Sequence, residues 1–537
     1  MTTTELASPA PGRTHRATHP ALALLILAGA QLMIVLDSTI VNIALPKMGS
    51  YFGKDQTDMT WAISAYTLAF GGLLLLGGRA GDILGRRRMF MTGLGLFTLG
   101  SLLGGLAHSF EFLIVGRVIQ GIGGAIAAPT ALALITTEFE EGRERTRAFA
   151  VFSAVAGAGA ALGLLLGGVL TEYLTWRWVL FVNVPIGVAL VAGAAFYLHE
   201  SDRLKGRFDW YGGLLSTAGM ASLVFGFIHA ASDGWANGVT LTAFVLAVVL
   251  LLGFVALEGK LSYAMMPLRA LRNRDRSGAY LVMLIVGAAL FGMFFFVSYF
   301  VQGVLGYSAL KSGLAFLPVS VAIGVAAQLS ASLLARVGPR RLVATGTVTM
   351  MIGLFWLATI NADSGYLTHL LPSLLVFAFG VGLTFVPLTT VAVSGVEPHE
   401  SGLASALLNV GQQVGGSIGL SVLTTVFASG ARSEGTHQGN VLGGLVQAGK
   451  LPGAVMHHFQ ELVAATSSGA KVSPVAAHDN VAVHAVHEVQ AHASSMGFLT
   501  AALFGVLAVV VTLTMIRTGK DVVIEVDPSV AVAAAEA

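Results

Sequence analysis

The chain consists of long apolar runs separated by short polar connectors, and that pattern leaves few folds open to it. The first run, Ala21 to Leu45, contains a single charged residue, Asp37. About 20 helical residues cover the ~30 Å hydrocarbon core of a bilayer, so this run reads as a span. It is too long for a signal-peptide core and lacks a convincing cleavage site, so it stays with the folded chain. Only 11% of the residues are charged and 55% are hydrophobic; a soluble domain carries about 25% charged residues. With no cysteine in the sequence, disulfides, thiol chemistry and cysteine-ligated metals fall away.

Taken in order, spans are expected near 21–45, 59–77, 89–108, 111–135, 147–170, 178–198, 210–230 and 239–257. The series continues near 278–302, 312–335, 342–360, 369–393, 402–428 and 497–516. This predicts an all-α polytopic membrane protein of fourteen transmembrane helices. Of the 30 Lys and Arg residues, 22 then fall on one side, seven on the other, and Arg117 lies within a span. Basic residues collect on the cytoplasmic side, so both termini are expected there, in the cell membrane.

An internal repeat appears when the spans are aligned. Gly85-Arg86-Arg87-Arg88 is echoed by Gly338-Pro339-Arg340-Arg341, and Gly123-Gly124 with Pro129 by Gly380 and Gly382 with Pro387. The acidic connector at Glu140-Glu141 is echoed at Glu397 to Glu400. The expected organisation is a disordered tail (1–20), a six-helix half (21–198), a linker with two extra helices (199–277), a second half (278–516) and a tail (517–537). The second half includes an outer loop at 429–496. Halves that rock about a site near the midplane are a common transporter architecture.

Four motifs carry a family resemblance. Leu36-Asp37-x-Thr39-x-x-Asn42-x-Ala44-Leu45-Pro46 is similar to the first-helix signature of the fourteen-helix drug/proton antiporters of the major facilitator superfamily. Gly78-x-x-x-Asp82-x-x-Gly85-Arg86-Arg87 resembles that superfamily's loop motif, with Ala80 and Ile83 in place of the usual Leu and Arg. Arg117-x-x-Gln120-Gly121-x-Gly123 resembles its fourth-helix motif. Gly159-x-x-x-Gly163-x-x-x-Gly167-Gly168 resembles the antiporter motif, with Leu164 where that motif has proline.

A carboxylate inside a span costs roughly 2.5–3.5 kcal/mol on insertion scales, which marks Asp37 as functional. Counting along the helices at ~1.5 Å per residue puts Asp37 and Arg117 at similar depths, where the arginine needs an anionic or carbonyl partner. The resemblance implies proton coupling by Asp37 and Arg117, and a conformational latch built from Gly78, Asp82, Gly85, Arg86 and Arg87. Asp82 either caps the following helix or pairs with a base across the two halves. Gly159, Gly163, Gly167 and Gly168 form a stripe along which another helix can approach. Candidate substrate-binding residues are Asp37, Asn42 and Gln120 with Asn409 and Gln413; the last two either line a cavity or bond between helices. The two extra spans carry few polar residues and read as filler or a lipid-facing pair. Arg269 and its basic neighbours are placed to touch anionic headgroups.

The outer segment holds seven of the fourteen histidines. His484 and His487 would share a helical face, but no accompanying carboxylate spacing points to a zinc site, and solvated side chains are expected. Gly415-x-Ser417-x-Gly419 matches a hydrolase elbow but sits inside a span, and 444–450 lacks the Ser or Thr of a phosphate loop. The expectation is a non-enzymatic, monomeric, proton-coupled exporter of lipophilic, cationic or zwitterionic drugs or metabolites. It would use the proton gradient in place of a cofactor, sit among membrane lipids and bind no nucleic acid or metal. Rival readings are a facilitator or importer of the same fold, or an exporter dedicated to one metabolite or lipid.

Overall fold

The computed structural model describes residues 19–139, 143–200, 209–261, 271–394, 401–468 and 473–518. Most of the two tails (1–18 and 519–537), the paired acidic connectors at 140–142 and 397–400, and Arg269 lie outside the described residues. The first six predicted spans fall on α1 (Pro20–Phe52), α2 (Gln56–Leu84), α3 (Arg86–Gly105), α4 (Phe110–Glu138), α5 (Arg143–Tyr173) and the pair α6 (Trp178–Phe181) and α7 (Asn183–Tyr197). The inserted spans are α8 (Trp210–Asp233) and α9 (Gly238–Glu258). The second six are α10 (Arg274–Gly303), α11 (Ala309–Val337), α12 (Pro339–Leu357), α13 (Leu371–Val393), α14 (Ser401–Gln447) and, after α15 (Ala454–Ser468) and α16 (Pro474–Ala477), α17 (Asn480–Met515). Among the described residues, eleven of these spans are long and apolar enough to cross a membrane.

The predicted span at 178–198 is not one straight helix. It breaks at Val182, between α6 and α7. Pro185 lacks the N–H that would bond Phe181, and it fits the first turn of a new helix, where that donor is unpaired anyway.

Packing repeats between the halves. In the first, α4 packs on α2 and α3, α1 on α5, and α7 on α1 and α3; in the second, α13 packs on α11 and α12, α10 on α14, and α17 on α10 and α12. The two halves meet along α5 with α11 and along α2 with α14, a pair of seams related by the same repeat. α8 packs on both α2 and α14 and so covers the second seam, while α9 presents Val245, Val248, Val249 and Leu252 outward.

Small residues make these contacts close. A Cβ at Gly123 would lie 2.3 Å from the backbone N of Phe97, and one at Gly380 2.3 Å from the backbone N of Met350. Gly85 and Gly338 both open their helices at positive φ, 107° and 86°, a region that glycine enters without strain.

The halves touch near the C-terminal end of α1. Ser298 Oγ donates to the Asn42 carbonyl at 3.1 Å and Gln302 Nε2 to that of Ile43 at 3.3 Å. Thr67 Oγ1 bonds Ser417 Oγ at 3.1 Å. At the arginine-rich end, Arg274 donates to the Thr514 carbonyl, Arg276 to that of Ser394 and Arg340 to that of Leu513, each within the second half.

The 429–496 segment is not a loop. α14 runs on to Gln447, α15 turns back, and α17 begins at Asn480. Leu442, Val455, Phe459, Ala482, Val486 and Val489 are buried together and give this helical hairpin its own small core. Asp479 caps α17 by accepting from the N–H groups of Val481 and Ala482, each at 3.2 Å.

The α3–α4 contact gives a direct test. Gly123→Ala has to push two backbones apart, whereas a Cβ at Gly95 meets nothing within 4 Å. Gly123→Ala is expected to cut the yield of monodisperse protein on fluorescence-detected gel filtration severalfold, and Gly95→Ala to leave it unchanged.

Candidate functional site

Asp37 and Arg117, placed at similar depth by counting residues, are in contact. Arg117 Nη1 donates to Asp37 Oδ2 at 2.6 Å, and both side chains are buried. Three further residues complete the network. Gln120 Nε2 and Asn183 Nδ2 each donate to Asp37 Oδ1 at 2.9 Å. Gln120 Oε1 accepts from Arg117 Nη1 at 3.0 Å, and Ser101 Oγ accepts from Gln120 Nε2 at 2.6 Å. Arg117 Nε donates to the Ala62 carbonyl at 2.8 Å, and its guanidinium stands 4.5 Å from the centre of the Tyr66 ring.

Glycines let the surrounding helices come this near. A Cβ at Gly100 would be 2.6 Å from the Gln120 backbone N, which explains how Ser101 of α3 reaches Gln120 of α4. A Cβ at Gly121 would be 2.5 Å from the Tyr66 carbonyl, so α2 can bring Ala62 and Tyr66 against Arg117. Asn183 enters from the break between α6 and α7. A buried ion pair is held only when geometry and extra hydrogen bonds offset desolvation, and this one has both. Two polar atoms in the network are unspent. Asn183 Oδ1 and Tyr66 OH are buried without a hydrogen-bond partner among the described residues.

The other predicted residues lie elsewhere. The side chain of Asn42 bonds back to the Ser38 carbonyl at 3.1 Å, so it braces α1 and does not reach Asp37. Asn409 is exposed and Gln413 half-buried on α14; Gln413 lies against Gly71 of α2, at the seam between the halves.

In the loop motif, Asp82 accepts from Arg86 Nε at 3.2 Å and Nη2 at 3.0 Å, a pair within its own segment and not across the halves. A Cβ at Gly78 would make only ordinary contact with Pro129. Arg87 Nε donates to the Ala194 carbonyl at 3.2 Å, and its Nη2 donates to that of Ala195. Glu200, which the motif does not include, accepts from the backbone N–H groups of Arg87 and Arg88 at 3.1 and 3.2 Å. Its carboxylate offsets the positive N-terminal end of α3, and a Cβ at Gly85 would collide with it at 2.6 Å.

The glycine stripe of α5 faces α1. A Cβ at Gly159 would meet Leu32 and Val35, at Gly163 Thr39 Oγ1 at 2.0 Å, and at Gly167 the Ile40 carbonyl at 2.7 Å. Gly168 turns to Ala309 and Leu310 across the seam. In the second half, Gly411, Gly415 and Gly419 of α14 do the same against α10, with a Cβ at Gly415 only 2.0 Å from the Leu284 carbonyl. The hydrolase-like spacing there is therefore a packing stripe.

Comparisons with known proteins agree with this architecture. The family model described as Major Facilitator Superfamily matches residues 27–420. The puromycin resistance protein of Streptomyces alboniger is 44% identical over 75% of this chain and 81% of its own. The cephamycin export protein of Amycolatopsis lactamdurans is 38% identical over 81% and 91%, and the tetracenomycin C resistance and export protein of Streptomyces glaucescens 34% identical over 76% of each. Among solved structures, the POT family transporter PepTSo superposes with a TM-score of 0.60 at 13% identity, over 93% of this chain and 98% of that one. Fold, buried motif residues and relatives converge: the chain belongs to the major facilitator superfamily and is a membrane transporter, not an enzyme.

Proposed function

We propose that the chain exports lipophilic small molecules of antibiotic type in exchange for protons, by alternating access, with both termini cytoplasmic. The buried Asp37 network carries this reading. As a carboxylate, Asp37 accepts from Arg117, Gln120 and Asn183; once protonated it must also donate. The Asn183 amide, turned over, offers the unspent Oδ1 as acceptor for that proton. The same five side chains can therefore serve both protonation states once the Asn183 amide turns over, which is what a coupling site requires.

Residues 21–198 and 278–516 are assigned as the two moving halves, joined by the linker 199–277. The contacts near the C-terminal end of α1 support assigning this conformation as closed on the outer side, with access from the cytoplasm. Asp82 then pairs locally with Arg86, and its latch across the halves belongs to the opposite state. Gln413, at the seam between the halves, is proposed as a substrate contact, and Gln120 as a group that acts on substrate through the Asp37 network. Because relatives are named for single antibiotics as well as for multidrug resistance, export of one dedicated metabolite is the second reading. A panel of structurally unrelated substrates separates the two.

Dye efflux in inverted vesicles tests the coupling. Wild-type transport is expected to need the pH gradient and to stop with a protonophore. Asp37→Asn should still reach the membrane, with a lowered thermal midpoint because Arg117 loses its carboxylate, yet lose gradient-driven accumulation; gradient-driven export by that variant would refute the coupling role. Stability offers an independent check of the pair. Removing one partner of a buried ion pair costs about 3–5 kcal/mol, so Arg117→Met is expected to lower the thermal midpoint in detergent. Asp37→Asn in the same chain should recover part of that loss, and equal midpoints would remove the pair from the stability account.

Substrate charge follows from the same geometry. Asp37 is the one carboxylate deep within a span among the described residues, and Arg117 already balances it. A dication would bring uncompensated charge into a low-dielectric cavity, at several kcal/mol. Matched mono- and dicationic dyes in a pump-deficient host should show stronger protection against the monocations. Equal protection would require a second acid in the cavity.

A further inference from the structure

A cluster of metal-binding side chains lies away from the Asp37 network. Asp363 stands in the connector between α12 and α13, and His484 and Glu488 stand one turn apart on α17. One ligand atom from each lies within 4.8 Å of the other two, and His484 Nε2 is 3.6 Å from Asp363 Oδ1. Among the described residues neither carboxylate has a lysine or arginine partner, so two acids face one imidazole without a balancing cation.

The cluster is held in place by its surroundings. Ala485, Val486 and Val489 anchor α17 in the hairpin core, which leaves His484 and Glu488 on its open side. The Asp363 backbone N–H donates to Asn361 Oδ1 at 3.1 Å. About two turns further along α17, Ser495 Oγ donates to the Ala358 carbonyl and ties the helix to the end of α12.

We propose that Asp363, His484 and Glu488 bind a divalent transition-metal ion of the zinc type. One imidazole and two carboxylates are a suitable donor set for zinc, cobalt or nickel, and three protein ligands leave a fourth position for water. Small side-chain rotations bring the three atoms from their present separations to bonding distance. Of His484 and His487, both expected as solvated side chains, only His484 joins the cluster. The bound ion would fasten the connector between α12 and α13 to α17 at the base of the hairpin.

The test is a zinc titration by calorimetry on untagged, chelator-treated protein in nanodiscs, repeated with cobalt for its visible absorption. Wild type is expected to bind one ion per chain with a cobalt band of low symmetry. Asp363→Asn, His484→Ala and Glu488→Gln should each weaken binding by roughly 10-fold or more, and His487→Ala should leave it unchanged. The His484 and Asp363 side chains are 55% and 82% exposed, so these variants are expected to fold, and gel filtration checks it. Wild-type affinity in His484→Ala, or an equal loss in His487→Ala, overturns the site.

Discussion

The whole assembly depends on how closely its helices approach one another. In a bilayer, lipid tails compete on equal terms with apolar side chains, so helix association rests on packing and polar contacts. Here glycine brings backbone against backbone. Gly123 and Gly93 join α4 to α3, Gly163 and Gly167 join α5 to α1, and Gly415 joins α14 to α10. The spacing thus gained decides which polar side chains can meet. Without Gly100 and Gly121, Ser101 and Tyr66 would sit too far from α4 to enclose Arg117 and Gln120.

The buried pair is a second consequence of that closeness. Arg117 draws on three helices at once, bonding Asp37 of α1, Ala62 of α2 and Gln120 of its own helix. A lysine could supply the charge but not the planar fork that reaches several acceptors. The carboxylate is equally crowded, with donors from α4 and α7 on its two oxygens.

Much of the architecture was legible because a membrane imposes simple arithmetic on apolar runs. Each of the fourteen expected spans coincides with helix, and the repeated Gly85 and Gly338 turns share a backbone conformation. Charge made Asp37 and Arg117 conspicuous. Tyr66, Ser101 and Asn183 escaped notice because uncharged polar residues are common in spans; Asn183, two positions before Pro185 in an apolar run, was the one with a usable signal. The glycines of α14 were visible only as a rejected enzyme motif. The hairpin after α14 was hidden by its histidines and glycines, which dilute the apolar pattern that Leu442, Phe459 and Val486 make only in three dimensions. Asp363 meets His484 and Glu488 only through tertiary folding; Glu488, four residues after His484 on one helical face, was a local signal that the sequence reading passed over.

The long α14 has a mechanical consequence. Its 47 residues extend about 70 Å at ~1.5 Å per residue, more than twice the ~30 Å hydrocarbon thickness. One end packs in the seam with α2, and the other carries the hairpin. Such a rod is a lever. A tilt of about 10° pivoting near Gln413 would sweep its far end through about 9 Å, given about 50 Å of helix beyond the pivot. The hairpin is thus a pointer, converting small rearrangements at the centre of the protein into displacements large enough to be seen, or grasped, from outside.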